Sequence, residues 1–126
     1  MPEERRAQSL PKQERLLSRG DFLKTQRKGA KYQTERLLIF TLSTNQPTRF
    51  GITTSRKVGN AVQRNRVKRL LREVYRRNKD LFPAGLNVVF VAKPEAVSGT
   101  LGSFLQEVTA FSRWVKARTT SPARKP

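Results

Sequence analysis

The spacing of apolar residues changes from one stretch of this chain to the next, and each spacing predicts an element. "ERLLIFTLST", Glu35 to Thr44, is rich in large and β-branched apolar residues and runs into the turn-forming "NQPT"; "RFGITTSRKV" follows, with Phe50, Ile52 and Thr54 at alternate positions. Such runs read as strands, and the turn between them predicts that the two form a hairpin. "LNVVFVAK", Leu86 to Lys93, is apolar without alternation and lies between a Pro-Ala-Gly turn and Lys93-Pro94. That is the pattern of a strand covered on both faces, so it is expected at the centre of the sheet.

Helical spacing takes over elsewhere. In "LGSFLQEVTAFSRWVKA", the residues Leu101, Phe104, Leu105, Val108 and Val115 fall on one side of a helix, which predicts an amphipathic helix packed on the sheet. In "SRGDFLKTQRKG", Ser18 is followed three residues later by Asp21, a capping-box-like start, and Gly29 stands where a helix would stop; a short first helix is expected there. There are no internal repeats. The ends, 1–13 and 119–126, are polar, contain Pro and show no periodicity, so they are expected to be disordered tails. At 126 residues the chain has the size of one domain, with its ordered part expected over about 14–118.

The segment between the second and third of these strands, "GNAVQRNRVKRLLREVYRRN" from Gly59 to Asn78, is the most unusual. Asn60 is a good N-cap and Gln63 occupies the third helical position, so a helix should begin immediately after Gly59. At about 100° per residue, Val67, Leu70, Leu71 and Val74 share one narrow stripe. Asn65, Arg69, Arg72 and Arg76 lie opposite, with Lys68 and Lys79 along one flank and Arg66 and Arg77 along the other. One face belongs to a core and the other is basic.

Charge gives that face a meaning. The chain holds 27 Lys and Arg against 9 Asp and Glu, a formal charge of +18, and self-repulsion of that size weakens a small fold unless a polyanion relieves it. Charged helix faces are most often simply solvated, but those mix signs and gain from acid–base pairs a turn apart, whereas Glu73 is the only acid between Glu35 and Asp80. Arg outnumbers Lys in the helix, which suits phosphate, because a planar guanidinium makes two parallel hydrogen bonds. Nucleic acid is therefore the expected partner. A membrane is not, since no segment offers a spare apolar face or a spanning run. "MPEERRAQSLPKQERL" lacks the apolar stretch of a secretory signal, so the expected location is intracellular, the cytoplasm.

With no His and no Cys, the usual zinc sets, imidazole acid–base chemistry and His-activated or thiol nucleophiles are excluded. The carboxylates Asp21, Glu35, Glu73, Asp80, Glu95 and Glu107 are scattered singly rather than clustered as a two-metal nuclease would need. No catalytic residue is expected. Helix-turn-helix and zinc-finger spacings are missing too, which turns attention to RNA. Phe40 on a strand and Phe22 on the first helix are candidates to stack on unpaired bases, although from pattern alone each is equally well a core residue. The residues by themselves describe an RNA-binding α/β domain without its own active site.

The run "SRKVGNAVQRNRVKRLLREVYRRN" resembles the signature of the protein subunit of bacterial ribonuclease P: the Gly59-Asn60-Ala61-Val62 opening, the Arg64-Asn65-Arg66 centre, then Lys68-Arg69 and Arg72-Glu73, with similarity from "LLSRGDF" through "FVAKPEA". The resemblance implies one α+β sandwich-type domain, α-β-β-β-α-β-α, with a four-stranded sheet and the basic helix on a left-handed βαβ crossover, against the usual right-handed preference. It implies a subunit that joins a large catalytic RNA and assists removal of the 5′ leader from precursor tRNA, with Mg²⁺ bound by the RNA rather than the protein. For contacts with the catalytic RNA it points to Ser55, Arg56, Lys57, Asn60, Arg64, Asn65, Arg66, Lys68, Arg69, Arg72 and Arg76, although the helical wheel sets Arg64 close to the core stripe. For the leader it points to Phe22 and Phe40, with Gln26 standing where many members carry a second aromatic. Two rivals remain: a ribosomal-protein-like RNA binder, and a stand-alone nuclease that would cleave without any RNA subunit.

Overall fold

The computed structural model describes residues 18–120. The expected tails lie outside that range, except Thr119 and Thr120, which close the last helix. The elements are α1 (Arg19–Lys28), β1 (Ala30–Gln33), β2 (Leu37–Ser43), β3 (Arg49–Thr54), α2 (Ala61–Arg77), β4 (Leu86–Ala92) and α3 (Leu101–Thr120), with short 3₁₀ turns at Arg56–Val58, Lys79–Leu81 and Pro94–Ser98. This is the α-β-β-β-α-β-α order that the resemblance implies. The four strands form one mixed sheet in the order β1-β2-β4-β3. β4 runs parallel to β3, to which α2 connects it, and antiparallel to β2.

The expected hairpin of β2 with β3 does not form. β4 lies between them, because a strand apolar on both faces is best buried with a neighbour at each edge; six of its seven residues are buried. The "NQPT" segment instead carries the chain past β4 and is tied to the residues leading into it, Thr44 N donating to Gly85 O at 2.7 Å and Thr48 Oγ1 to Pro83 O at 2.7 Å. The true hairpin joins β2 to β1, a four-residue strand, "AKYQ", whose Lys31 and Gln33 are exposed. So short and half-polar a strand carries little periodic signal.

One face of the sheet carries Tyr32, Leu37, Ile39, Phe50, Ile52, Val88, Phe90 and Ala92. Against it pack Val67, Leu71, Val74 and Tyr75 of α2 and Phe104, Val108, Phe111 and Val115 of α3, all buried. Leu70 and Leu105 sit at the rim, partly buried. Phe50 stacks on Tyr75 with centroids 4.5 Å apart and rings 8° from parallel, and meets Phe90 edge-on at 5.0 Å. Contacts of this kind add about 0.5–1.5 kcal/mol beyond the area they bury.

α3 is also fastened by polar contacts. The Glu107 carboxylate accepts hydrogen bonds from the Thr34 hydroxyl, from Arg36 N at 3.0 Å and from the Arg36 guanidinium at 2.8 Å. The bond to Glu107 raises the pKa of Arg36, against the opposing effect of burial, so the ion pair is locked at the turn joining β1 to β2.

α1 covers part of the opposite sheet face. Arg49 of β3 donates to Asp21 at 3.0 Å, and Thr25 is fully buried. The end of α1 approaches β2 so closely that a Cβ at Gly29 would run into the carbonyl oxygens of Thr41 and Thr25. Among the described residues, no helix is long and apolar enough to cross a membrane.

Candidate RNA interface

The first turn of α2 is built by local chemistry. Asn60 accepts a hydrogen bond from Gln63 N at 2.9 Å, and the Gln63 side chain accepts one from Asn60 N at 2.8 Å, a complete capping box. Ser55 caps the preceding 3₁₀ turn by accepting from Lys57 N at 3.2 Å. Two short caps in succession hold Ser55, Arg56, Lys57 and Asn60 in a fixed path while leaving all four exposed.

Along α2 the burial follows the expected wheel. Asn65, Arg69 and Arg72 are exposed opposite Val67, Leu71 and Val74. Arg66 and Lys68 are half-buried on the flanks, where long aliphatic stems lie along the protein while charged heads reach water. Tyr75 belongs to the core stripe as well; its position one turn after Leu71 is the signal for it in the sequence. Arg64 is folded back, its guanidinium donating to Gly59 O at 2.6 Å, which uses one of its five donors. Arg76 does not stand alone on the basic face. It is paired with Glu73, which also holds Arg77 at 2.6 Å. The bond to Arg76, more than that to Arg77, pulls the Glu73 carboxyl below its ordinary pKa against the effect of burial, and Glu73 in turn raises Arg76. Glu35 pairs with Arg36, Glu107 with Arg36 and Asp21 with Arg49. Arg69 and Arg72 have no acidic partner among the described residues.

The remaining candidates lie on α1 and on the sheet face that it partly covers. Phe40 of β2 is opposite Val89, and Val89 is opposite Gly51, in register with the side of the sheet on which Arg49 meets α1. Phe22 and Gln26 lie on α1, one turn apart and half-buried, as is Phe40. The aromatic contacts of the described core join Tyr32, Phe50, Tyr75, Phe82, Phe90, Phe111 and Trp114 on the other face; neither Phe22 nor Phe40 is among them. Beside Phe40, in direct cross-strand register, is the exposed Lys31. A cation next to a half-open ring suits an unpaired nucleotide. Sequence reasoning missed Lys31 because the strand that carries it has no periodic signature.

The profile of the family described as Ribonuclease P matches residues 10–116. The "Ribonuclease P protein component" of Desulforapulum autotrophicum is 45% identical over 91 residues, covering 71% of this chain and 78% of that protein. The protein of the same description from Desulfovibrio desulfuricans is 44% identical over 95 residues, 73% of each chain. Among solved structures, the RNase P protein from Thermotoga maritima superposes with a TM-score of 0.72 at 28% identity, over 80% of this chain and 96% of that one. By sequence profile, by relatives and by fold, the chain belongs to the ribonuclease P protein family.

Proposed function

We propose that this chain binds the catalytic RNA of ribonuclease P through the basic face of α2 and holds the 5′ leader of precursor tRNA against the sheet face under α1. The observation that carries the reading is the separation of two surfaces with different chemistry. Exposed, acid-free Arg69 and Arg72, with Asn65, Arg66, Lys68 and the Ser55–Asn60 segment, suit the phosphates of a folded RNA. Phe40, Phe22, Gln26 and Lys31 suit a single strand, whose bases have faces to stack. Each phosphate neutralised releases counterions, so the protein brings two polyanions together and lowers the Mg²⁺ that their assembly requires.

Among the described residues, no three His, Cys, Asp or Glu side chains gather to hold a metal ion. The proposal leaves Mg²⁺ and hydrolysis to the RNA. The work of the protein is to bind, orient and neutralise.

The test is cleavage of 5′-labelled precursor tRNA by the catalytic RNA of the same organism at low Mg²⁺, with and without this protein. Stimulated cleavage at the mature 5′ end, with none by protein alone, is expected. Tight RNA binding without stimulation would leave a general RNA-docking protein of the ribosomal type, and cleavage by protein alone would point to a nuclease.

A further inference from the structure

Among the described residues, three large apolar side chains are exposed, Leu23 and Val97 at 37% and Val62 at 78%. Scattered apolar residues are ordinary on protein surfaces, but Val62 stands where the pattern of its helix calls for a polar one. At about 100° per residue it lies directly opposite the fully buried Leu71 and between Arg66 and Arg69, in the middle of the basic face. The fold gains little from it. A β-branched residue is a poorer helix former than alanine, and an isopropyl group so exposed shields almost none of the protein. Nor does the entry to α2 need it, because the capping box there is made by Asn60 and Gln63.

What covers Val62 must bring negative charge with it. Arg66 and Arg69 rise from the next two turns, about 6 and 10.5 Å further along the axis, and neither has an acidic partner among the described residues. Helical side chains lean toward the N-terminus of their helix, which turns both arginines toward the patch around Val62. Glu73, three turns beyond Val62 on the same side, is held by Arg76 and Arg77. An apolar protein surface seated on Val62 would bury unpaired guanidinium groups, at a large desolvation cost. A nucleotide would not, because its base offers a flat face of low polarity while its phosphates meet the arginines. In a paired RNA helix the base faces are stacked out of reach and the minor groove shows hydroxyls and base edges. Only an unpaired nucleotide presents a base face to a side chain.

We propose that Val62 seats one unpaired nucleotide of the catalytic RNA, its isopropyl group against the face of the base, with Arg66 and Arg69 on the neighbouring phosphates. The inference rests on the reading of α2 above and supplies what charge lacks. Phosphate contacts carry no sequence information, whereas an apolar seat at a fixed distance from them selects an RNA with an unpaired nucleotide at that place. Val62 is thereby the residue of the basic face that distinguishes the catalytic RNA from a duplex of equal charge.

The experiment titrates the protein with the catalytic RNA of the same organism across a salt series. Val62→Ala should weaken binding by about five- to tenfold, the loss expected when two methyl groups are withdrawn from contact. The loss should be the same at every salt concentration, with the slope of log affinity against log salt unchanged, because no phosphate contact is removed. Its melting temperature should stay level or rise, since alanine is the better helix former, and Val62→Ile should keep the wild-type affinity. A fully paired RNA duplex should bind the wild type and Val62→Ala equally. Chemical probing should find a base of the catalytic RNA that the wild type protects and Val62→Ala leaves reactive. Unchanged affinity of Val62→Ala for the catalytic RNA overturns the proposal, and so does a lowered salt slope, an equal loss on the duplex, or the lack of any base whose protection depends on Val62. Arg66→Ala and Arg69→Ala provide the separate arm. Lowered slopes in these two beside unchanged affinity in Val62→Ala remove the apolar seat and leave the phosphate reading of α2 standing, whereas unchanged slopes remove that reading itself.

Discussion

The carboxylate of Glu73 and the guanidinium of Arg77 meet at 2.6 Å across one turn of α2, and the same carboxylate also holds Arg76. One acid thus divides the basic helix. Its N-terminal half presents unpaired arginines, while its C-terminal arginines are already partly neutralised within the protein. Glu73→Gln should release both, tightening binding to the catalytic RNA and steepening its salt dependence by at most about 0.9 for each new phosphate contact. Because the pairing depresses the folded-state pKa of Glu73, its stabilising contribution is complete above the unfolded value of about 4.3. It is lost as pH falls from there through the folded-state value. Denaturation midpoints measured on the acid side should therefore fall less steeply in the variant. Unchanged RNA affinity would show that Arg76 and Arg77 do not reach the RNA even when freed.

Arg69 and Arg72 are expected to contribute to binding without contributing to the fold. Arg69→Ala and Arg72→Ala should each lower the slope of log affinity against log salt by about 0.7–0.9 and change stability by less than about 0.5 kcal/mol. Leu71→Ala, between them on the opposite side of the helix, should cost about 2–5 kcal/mol. A salt slope that survives both arginine substitutions removes them from the phosphate contacts.

Gly59 has φ +151°, and a Cβ there would strike the Gln63 side chain that closes the capping box. Gly59→Ala should cost about 1–3 kcal/mol in urea denaturation, and its RNA affinity should fall as the first turn of α2 loosens. An unchanged midpoint would mean that the turn relaxes without strain.

Gln26→Phe should sharpen discrimination between precursor and mature tRNA, because a base stacked on an aromatic side chain gains about 1–3 kcal/mol. Equal discrimination by the variant and the wild type places Gln26 outside the path of the leader.

Sulfate, phosphate and RNA should each raise the melting temperature of the isolated protein, since a ligand that binds only the native state stabilises it and the net charge of +18 opposes compaction. A melting temperature indifferent to these anions would contradict an anion-binding native surface.

The helices were legible because their signals are local. Ser18 accepting from Asp21 N, the Asn60–Gln63 box and the Val67–Leu71–Val74 stripe all lie within one or two turns of chain, where side-chain spacing and capping chemistry suffice. The central place of β4 was legible as well, because seven consecutive strand residues with hardly a polar atom have no stable position at an edge. Strand pairing was not. Whether β2 pairs with β3 or with β1 depends on which arrangement buries β4 on both sides, a competition among segments distant in sequence.

The sequence by itself determined a basic, cysteine- and histidine-free domain with one amphipathic arginine helix, since composition and periodicity belong to the chain before it folds. Only the tertiary structure decided which charges distant in sequence are spent on one another inside the protein, Arg36 on Glu107 and Arg49 on Asp21. Tertiary packing alone set Lys31 beside Phe40. The reason is physical: an electrostatic site is defined by distances through space, and those distances are set by the packing of the sheet, not by the order of residues along the chain.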